Sequence, residues 1–429
     1  MLKIPNHLIV ASSSWLSKII IAGVQIISIS YLIPLLGEDK YAVFSLLTGL
    51  LAWCTLVDLG VGNSLQNYIS ESRVNKESYD GLIKASIQLV VLSLIFFILF
   101  FYISSDFLSS LYLSSFGTII DHENRNSFFI ASVIFSIIGI GTVSYKILFS
   151  EFLGWKANIY NAISYILGLL SVVFILKYGI YTNVSGALMA LYAPVGAISL
   201  CYLIYRYAKI SHVKVDVKYY VIITKRSIGF LFFAFLSMLV LQVDYIVISQ
   251  RLSPSDIVKY TIMMKIFSLV FFIYSAVLQA LWPVCAELRV KCEWKRLNKI
   301  IIINIVFGII FICLSTTFIY LFKAKIFNLI AKEINYALSF EVLILLAIYF
   351  CIRVWTDTYA MLLQSMNHLK ILWFFVPFQA GISILSQWYL SKNLGINGIL
   401  LGLIFSFLLT VFWGLPLAYK NKIKQVKNA

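Results

Sequence analysis

The stretch Ile87–Ile103, IQLVVLSLIFFILFFYI, decides the fold, because it carries no charged side chain over a length at which a soluble helix would show a polar stripe. An α-helix rises about 1.5 Å per residue, so about 20 apolar residues cross a hydrocarbon core of roughly 30 Å. Working outward from this segment, which we place at Ile83 to Ile103, the pattern recurs on both sides. Further spans are expected near Val10 to Ile33, Tyr41 to Leu65, Phe128 to Phe149, Ile159 to Leu176 and Val184 to Tyr205. The second half repeats it near Ile228 to Ser249, Tyr260 to Trp282, Ile300 to Phe322, Phe340 to Met361, Ile371 to Leu390 and Ile396 to Ala418. Composition agrees: 61% of residues are hydrophobic and 12% charged, against about 25% charged in soluble domains. The first apolar segment has no small-residue cleavage site behind it, so it is expected to be a retained span.

The basic residues alternate between loops. Of the 34 Lys and Arg, about 22 fall in loops on the side of the termini, about 9 opposite and about 3 inside spans. The positive-inside rule then places both termini in the cytoplasm, with the dense segments Arg206 to Arg226, Glu287 to Lys299 and the tail lysines 420, 422, 424 and 427 against the anionic inner leaflet. The formal charge of +16 thus needs no nucleic acid to explain it. Six scattered cysteines and four scattered histidines form no zinc, redox or metal motif, and no phosphate loop or nucleophile elbow appears.

The longest basic connection falls mid-chain, giving a lobe at 1–210, a basic cytoplasmic linker at 211–226, a second lobe at 227–419 and a basic cytoplasmic tail at 420–429. Internal similarity supports two copies. Lys156 aligns with Lys370, and the turns that follow read Lys177-Tyr-Gly-Ile and Lys392-Asn-Leu-Gly-Ile. A looser match joins Leu36-Gly-Glu-Asp-Lys-Tyr to Leu252-Ser-Pro-Ser-Asp-Ile. Six spans per copy is an even number, so both copies enter from the same side. The expected fold is an all-α polytopic membrane protein of about 12 transmembrane helices, in two six-helix lobes related by a pseudo-two-fold along the membrane normal. Rocking of two such lobes about a central cavity is a transport architecture.

These features resemble one family. The twelve-span plan, the first-span motif Ser12-Ser-Ser-Trp-Leu, Val57-Asp-Leu-Gly-Val-Gly-Asn closing the second span, and the Gly-Ile turns are similar to polysaccharide flippases of the Wzx type, relatives of MATE antiporters and the lipid II flippase MurJ. The resemblance covers nearly the full length. It implies translocation of undecaprenyl-pyrophosphate-linked oligosaccharide across the bacterial inner membrane. It also implies cationic residues lining the cavity from the first and eighth spans.

Ionisable residues within spans cost about 2.5 to 3.5 kcal/mol at the helix centre, so each needs a partner or a wet cavity. Arg353 lies about 13 residues into its span, with Asp357 at i+4 on the same face. The two either neutralise each other or present a guanidinium, oriented by Asp357, to a pyrophosphate. Lys18 sits about eight residues, some 12 Å, inside the first span. Lys265 is about five residues inside the eighth, so both lysines either snorkel to an interface or line the cavity. Asp58 precedes Gly60 and Gly62 at a helix end, and Asp244 lies deeper, as a proton or sodium site or a counter-ion for Lys265. Tyr145 and Tyr359 are sugar-stacking candidates against an interfacial alternative.

The reading is a flippase with a cationic inter-lobe cavity, substrate-binding through Lys18, Lys265 and Arg353, with Asp58, Asp244 and Asp357 as coupling-ion or charge partners. No cofactor is expected beyond a proton or sodium gradient. Partners are the lipid-linked oligosaccharide, membrane lipids and other polysaccharide assembly proteins. A MATE-like cation antiporter would display acidic rather than basic cavity residues. A membrane polymerase or ligase would carry a large outer loop, whereas here the longest, about Ser104 to Ser127, includes only Asp121, His122 and Glu123 as acid–base candidates.

Overall fold

The computed structural model describes residues 6–113, 121–180, 183–290, 292–323, 325–326, 339–365 and 370–428. Side chains of Val10, Asp121, His122, Trp282, Glu287, Arg289, Lys370 and Lys427, named or included in the segments above, lie outside the described set. Secondary structure among the described residues is helical throughout. Among the described residues nine stretches are long and apolar enough to cross a membrane, and two of them, Ser12–Asp58 and Trp373–Lys424, each cover two expected crossings. With the helix Phe340–Ser365 they account for every expected span, confirming an all-α polytopic membrane protein.

The chain divides into two compact units, Met1–Met238 and Leu239–Ala429. The first contains α1 (Asn6–Cys54), broken at Gly37, a 3-10 turn (Thr55–Asp58), α2 (Val61–Asn75), α3 (Asp80–Tyr112), α4 (Asp121–Ser150), α5 (Gly154–Tyr178), α6 (Val184–Lys209) and most of α7 (Val217–Leu241). Helix α4 is its hub, packing on α1, α2, α3, α5 and α6. Burial covers 72% of its apolar window, against 22% in α3 and 28% in α5. Those two therefore present most of their apolar surface outward, which a polypeptide tolerates only where the solvent is itself apolar.

The first unit extends past the lobe boundary expected at residue 210. Part of the basic segment 211–226 is helical from Val217, and Ile223 is fully buried in one cluster with Val57, Val61, Leu65, Ile69 and Ile83. An apolar side chain every turn or two anchors this part of α7 onto α2 and α3 in spite of its lysines.

The second unit holds α8 (Val243–Arg251), α9 (Pro254–Val290), α10 (Trp294–Leu321), α11 (Phe340–Ser365), α12 (Lys370–Leu409) and α13 (Val411–Asn428). Here α11 is the hub, packing on α9, α10, α12 and α13. The fourth expected span of each half is thus the central one.

The turns aligned in sequence share a glycine of positive φ, although their ψ angles differ (24° at Gly179, −127° at Gly395). Gly179 (φ 63°) and Gly395 (φ 53°) both lie in the left-handed region, which costs an L-residue roughly 1–2 kcal/mol. Gly395 breaks α12 where Lys392-Asn-Leu-Gly-Ile was read as a turn. Both helix pairs close on glycines with no room for a side chain: Gly168 abuts the Leu191 carbonyl in one, and a Cβ on Gly402 would come within 2.6 Å of the Gln387 backbone nitrogen in the other.

Candidate functional site

A break in the helix positions the first side chain of the site. The apolar stretch Val217–Arg251 is long enough to span as one rod, yet it is interrupted at Gln242 (φ −130°, ψ 1°), so α8 begins inside it. Asp244 then falls in the first turn of α8, where free backbone N–H groups favour a carboxylate. It is buried, and its Oδ2 accepts a hydrogen bond from the Tyr260 hydroxyl of α9 at 2.5 Å. Its Oδ1 is buried and makes no hydrogen bond of good geometry, although the backbone N–H groups of Asp244 and Tyr245 in its own turn lie close to the carboxylate. A buried acceptor left unpaired costs about 1–3 kcal/mol, so this is the least satisfied carboxylate of the second unit among the described residues.

Arg353 and Asp357, one turn apart on α11, meet as the i, i+4 spacing requires. Arg353 donates from Nη2 to Asp357 Oδ2 at 2.8 Å and from Nε to the same oxygen at 3.2 Å. The guanidinium carbon stands 4.7 Å from the Phe271 ring centroid and 6.0 Å from that of Tyr349. Both donors converge on one oxygen, so Asp357 Oδ1 is not used by this pair. The pair remains partly open, with side chains 20% and 32% exposed. Tyr349 is within electrostatic reach of both Arg353 and Asp244, which makes these groups one polar cluster on α8, α9 and α11.

A second hydrogen-bonded group joins α9, α10 and α11. Asn304 of α10 donates to the Tyr274 hydroxyl of α9 at 2.9 Å, and that hydroxyl lies 2.7 Å from Thr358 Oγ of α11. Lys265, half-buried on α9, has no hydrogen bond or ion pair among the described residues, and none joins it to Asp244.

In the first unit, Asp58 closes a tight turn. Its Oδ1 accepts from Gly60 N–H at 2.7 Å and its Oδ2 from Gly62 N–H at 3.2 Å. Leu59 (φ 53°) and Gly60 (φ 73°) are both left-handed. The carboxylate thereby satisfies amides that the start of α2 leaves free. Lys146 of α4 lies within electrostatic reach of Asp58 and flanks Gly62 beside it. Lys18 is half-buried on α1 and is engaged with its surroundings. Tyr145 buries its hydroxyl without a hydrogen-bond partner, and the Tyr359 ring packs between Trp355 (5.0 Å) and Tyr419 (5.8 Å).

Sequence reading did not find Tyr260, Phe271, Tyr349 or Lys146. Lys146 was marked by being a cation close to the inner end of a span. The three aromatic residues carried no signal, because rings inside spans are ordinary packing residues. Among the described residues no group of three His, Cys, Asp or Glu side chains converges as a metal site.

Helix order and packing define an all-α polytopic membrane protein, and solved structures share its fold. The chain superposes on an inward-facing multidrug-resistance MATE transporter of the MOP superfamily with a TM-score of 0.77 at 13% identity, covering 95% of this chain and 96% of that one. Its superposition on the lipid II flippase MurJ, in an inward closed conformation, gives 0.72 at 14% identity, over 96% and 87%. No protein-family model matches the chain. It is 60% identical over 98% of both chains to a Salmonella typhimurium protein named "Putative O-antigen transporter". It is 55% identical over 99% of both chains to the protein of the same name from Salmonella typhi. A Yersinia pseudotuberculosis protein named for O-antigen export is 40% identical over 99% of this chain and 98% of that one. The chain belongs to this O-antigen transporter family.

Proposed function

We propose that the protein is a flippase that carries an undecaprenyl-pyrophosphate-linked oligosaccharide, an O-antigen unit or a related surface glycan, across the bacterial inner membrane, with both termini cytoplasmic. The names of its relatives and the MurJ-like fold support this class of cargo. The observation that carries it in the chain itself is Arg353, a guanidinium kept in a membrane helix, oriented by Asp357 and partly open. A pyrophosphate brings about two negative charges, and burying them in hydrocarbon without partners is prohibitive. A guanidinium offers paired donors that fit phosphate oxygens, and an ion pair with Asp357 holds it ready without burying it unneutralised. The isoprenoid tail stays in lipid while the head crosses by alternating access.

Asp244 is the candidate for energetic coupling. Its unpaired Oδ1 is available to a proton or a sodium ion, either of which would satisfy it. Flipped units would then pass to other polysaccharide assembly proteins. A MATE-like cation antiporter is disfavoured by Arg353, since a fixed cation repels a cationic drug.

The test is complementation of a gene deletion in the host. Wild type restores surface polysaccharide, while Arg353→Ala at matched membrane expression restores at most a trace and leaves undecaprenyl-linked units on the cytoplasmic face. Unchanged polysaccharide in the deletion strain would overturn the assignment.

A further inference from the structure

The inner ends of α5 and α6 enclose a second polar site, far along the chain from Arg353 and wholly within the first unit. A cavity of about 650 Å³ lies there, lined by Glu151, Lys156, Tyr160, Tyr202, Arg206 and Lys209. Its walls begin where α4 turns into α5 and end where α6 stops, on the side of the membrane that carries most of the basic loops.

The charges are arranged in two tiers. Arg206 is tied to Glu151 at 2.5 Å, with Asp80 4.0 Å from the same nitrogen, so its charge is largely answered by the protein. Lys156 makes only a contact with the Trp155 ring at 5.5 Å, and Lys209 is exposed with no ion pair or hydrogen bond among the described residues. Two lysines are therefore left over in one concavity. The Tyr160 and Tyr202 rings pack against each other at its wall, 6.0 Å apart and tilted by 43°, and amphipathic rings of this kind settle at the headgroup level of a bilayer.

Next to the cavity begins an apolar track. Ile159, Ile163, Leu167, Leu170 and Phe174 are exposed along one face of α5, a run of about 22 Å. A cationic concavity with rings at its rim, continuous with an apolar stripe along the helix, matches one kind of ligand: an amphiphile with an anionic head and a long tail. Basic pockets between helices on the cytoplasmic side hold lipid headgroups by this chemistry.

We propose that the α5–α6 pocket binds the phosphate headgroup of an anionic membrane lipid, one of net negative charge, through Lys156 and Lys209, with its tail along α5. The site is separate from the transport reading, and its test does not use transport.

Cys201 lines the pocket and is exposed, so its rate of alkylation reports occupancy. The full chain is placed in nanodiscs of phosphatidylcholine with or without phosphatidylglycerol. Maleimide labelling is followed peptide by peptide, with exposed Cys292 as the reference. Phosphatidylglycerol should slow labelling of Cys201 roughly tenfold. Lys156→Gln/Lys209→Gln should restore the fast rate, and Lys156→Arg/Lys209→Arg should keep the slow one. Undecaprenyl pyrophosphate added to phosphatidylcholine discs separates the sources: protection by it assigns the site to the carrier lipid as well, and protection by phosphatidylglycerol alone assigns it to bulk lipid. Equal rates in every lipid, an unchanged rate in the Gln pair, or equal protection by inorganic pyrophosphate without a tail would overturn the proposal.

Discussion

Two aspartates lie within the apolar segments near helix starts, one in each unit, and they are held in opposite ways. Asp58 has both oxygens occupied by backbone N–H groups of its own turn, at 2.7 and 3.2 Å. Asp244 has one oxygen on Tyr260 and the other buried with no well-formed hydrogen bond, only the loosely aligned amides of its own turn beside it. A carboxylate whose bonds are all local needs nothing further, and its role ends with shaping the chain. One that is left short of a partner in a low-dielectric interior retains an unmet demand, which a proton, an ion or a substrate can answer. The difference separates a structural charge from a functional one, although both read alike in sequence.

The largest effect that would sharpen this contrast comes from the turn beside Asp58. Gly60→Val must adopt a left-handed φ, and its Cβ would come within 2.6 Å of Ser227 O and 2.8 Å of Leu231 N. We expect a loss of about 3 kcal/mol or more, seen as loss of folded protein from detergent extracts. Normal yield and melting would show that this turn is not a rigid structural element.

Asp244→Asn comes next and is expected to act on transport instead. Oligosaccharide translocation should fall roughly tenfold, the equivalent of about 1.4 kcal/mol, with the thermal midpoint unchanged or raised. Full transport by this variant would remove the functional meaning of the unpaired oxygen.

Asp58→Ala should give the reverse profile. Removal of its two amide contacts costs about 1–2 kcal/mol in stability, while transport per folded molecule stays near wild type. If it instead abolished transport with stability intact, the assignment of the two aspartates would have to be exchanged.

The smallest effect lies outside the spans. Arg226 hydrogen-bonds both oxygens of Glu71, at 2.9 and 2.7 Å, and holds that carboxyl below the usual carboxylate range. A depressed folded value contributes stability above the unfolded value of about 4.3 that is lost as pH falls through the folded one. Glu71 is largely exposed, so screening limits the gain to under about 1 kcal/mol. Glu71→Gln should therefore lower the thermal midpoint slightly at pH 7 and leave it unchanged once the pH has fallen below the folded value of Glu71. Equal curves at all pH values would show that the pair contributes nothing.

How much of the site could be read beforehand follows from the reach of each interaction. The Arg353–Asp357 pair was legible because a spacing of four residues on a helix brings side chains together whatever surrounds them. The cap by Asp58 was partly legible, as an acidic residue before two glycines. The Asp244–Tyr260 bond was not, because it joins α8 to α9 across the turn between them, 16 residues apart in the chain. Phe271 reaches Arg353 from another helix, across a contact that no local pattern specifies.

The sequence by itself determined the membrane class, the apolar crossings and the recurrent glycine turns. Each of these follows from the cost of exposing polar backbone or charge to hydrocarbon, a cost paid residue by residue and therefore visible in composition and spacing. Only the tertiary structure decided that α7 belongs largely with the first unit, that α4 and α11 are the hubs, and which charges are answered and which are left open. Those outcomes depend on contacts between residues distant in the chain, where close packing selects one arrangement from many that the same hydrophobic pattern allows.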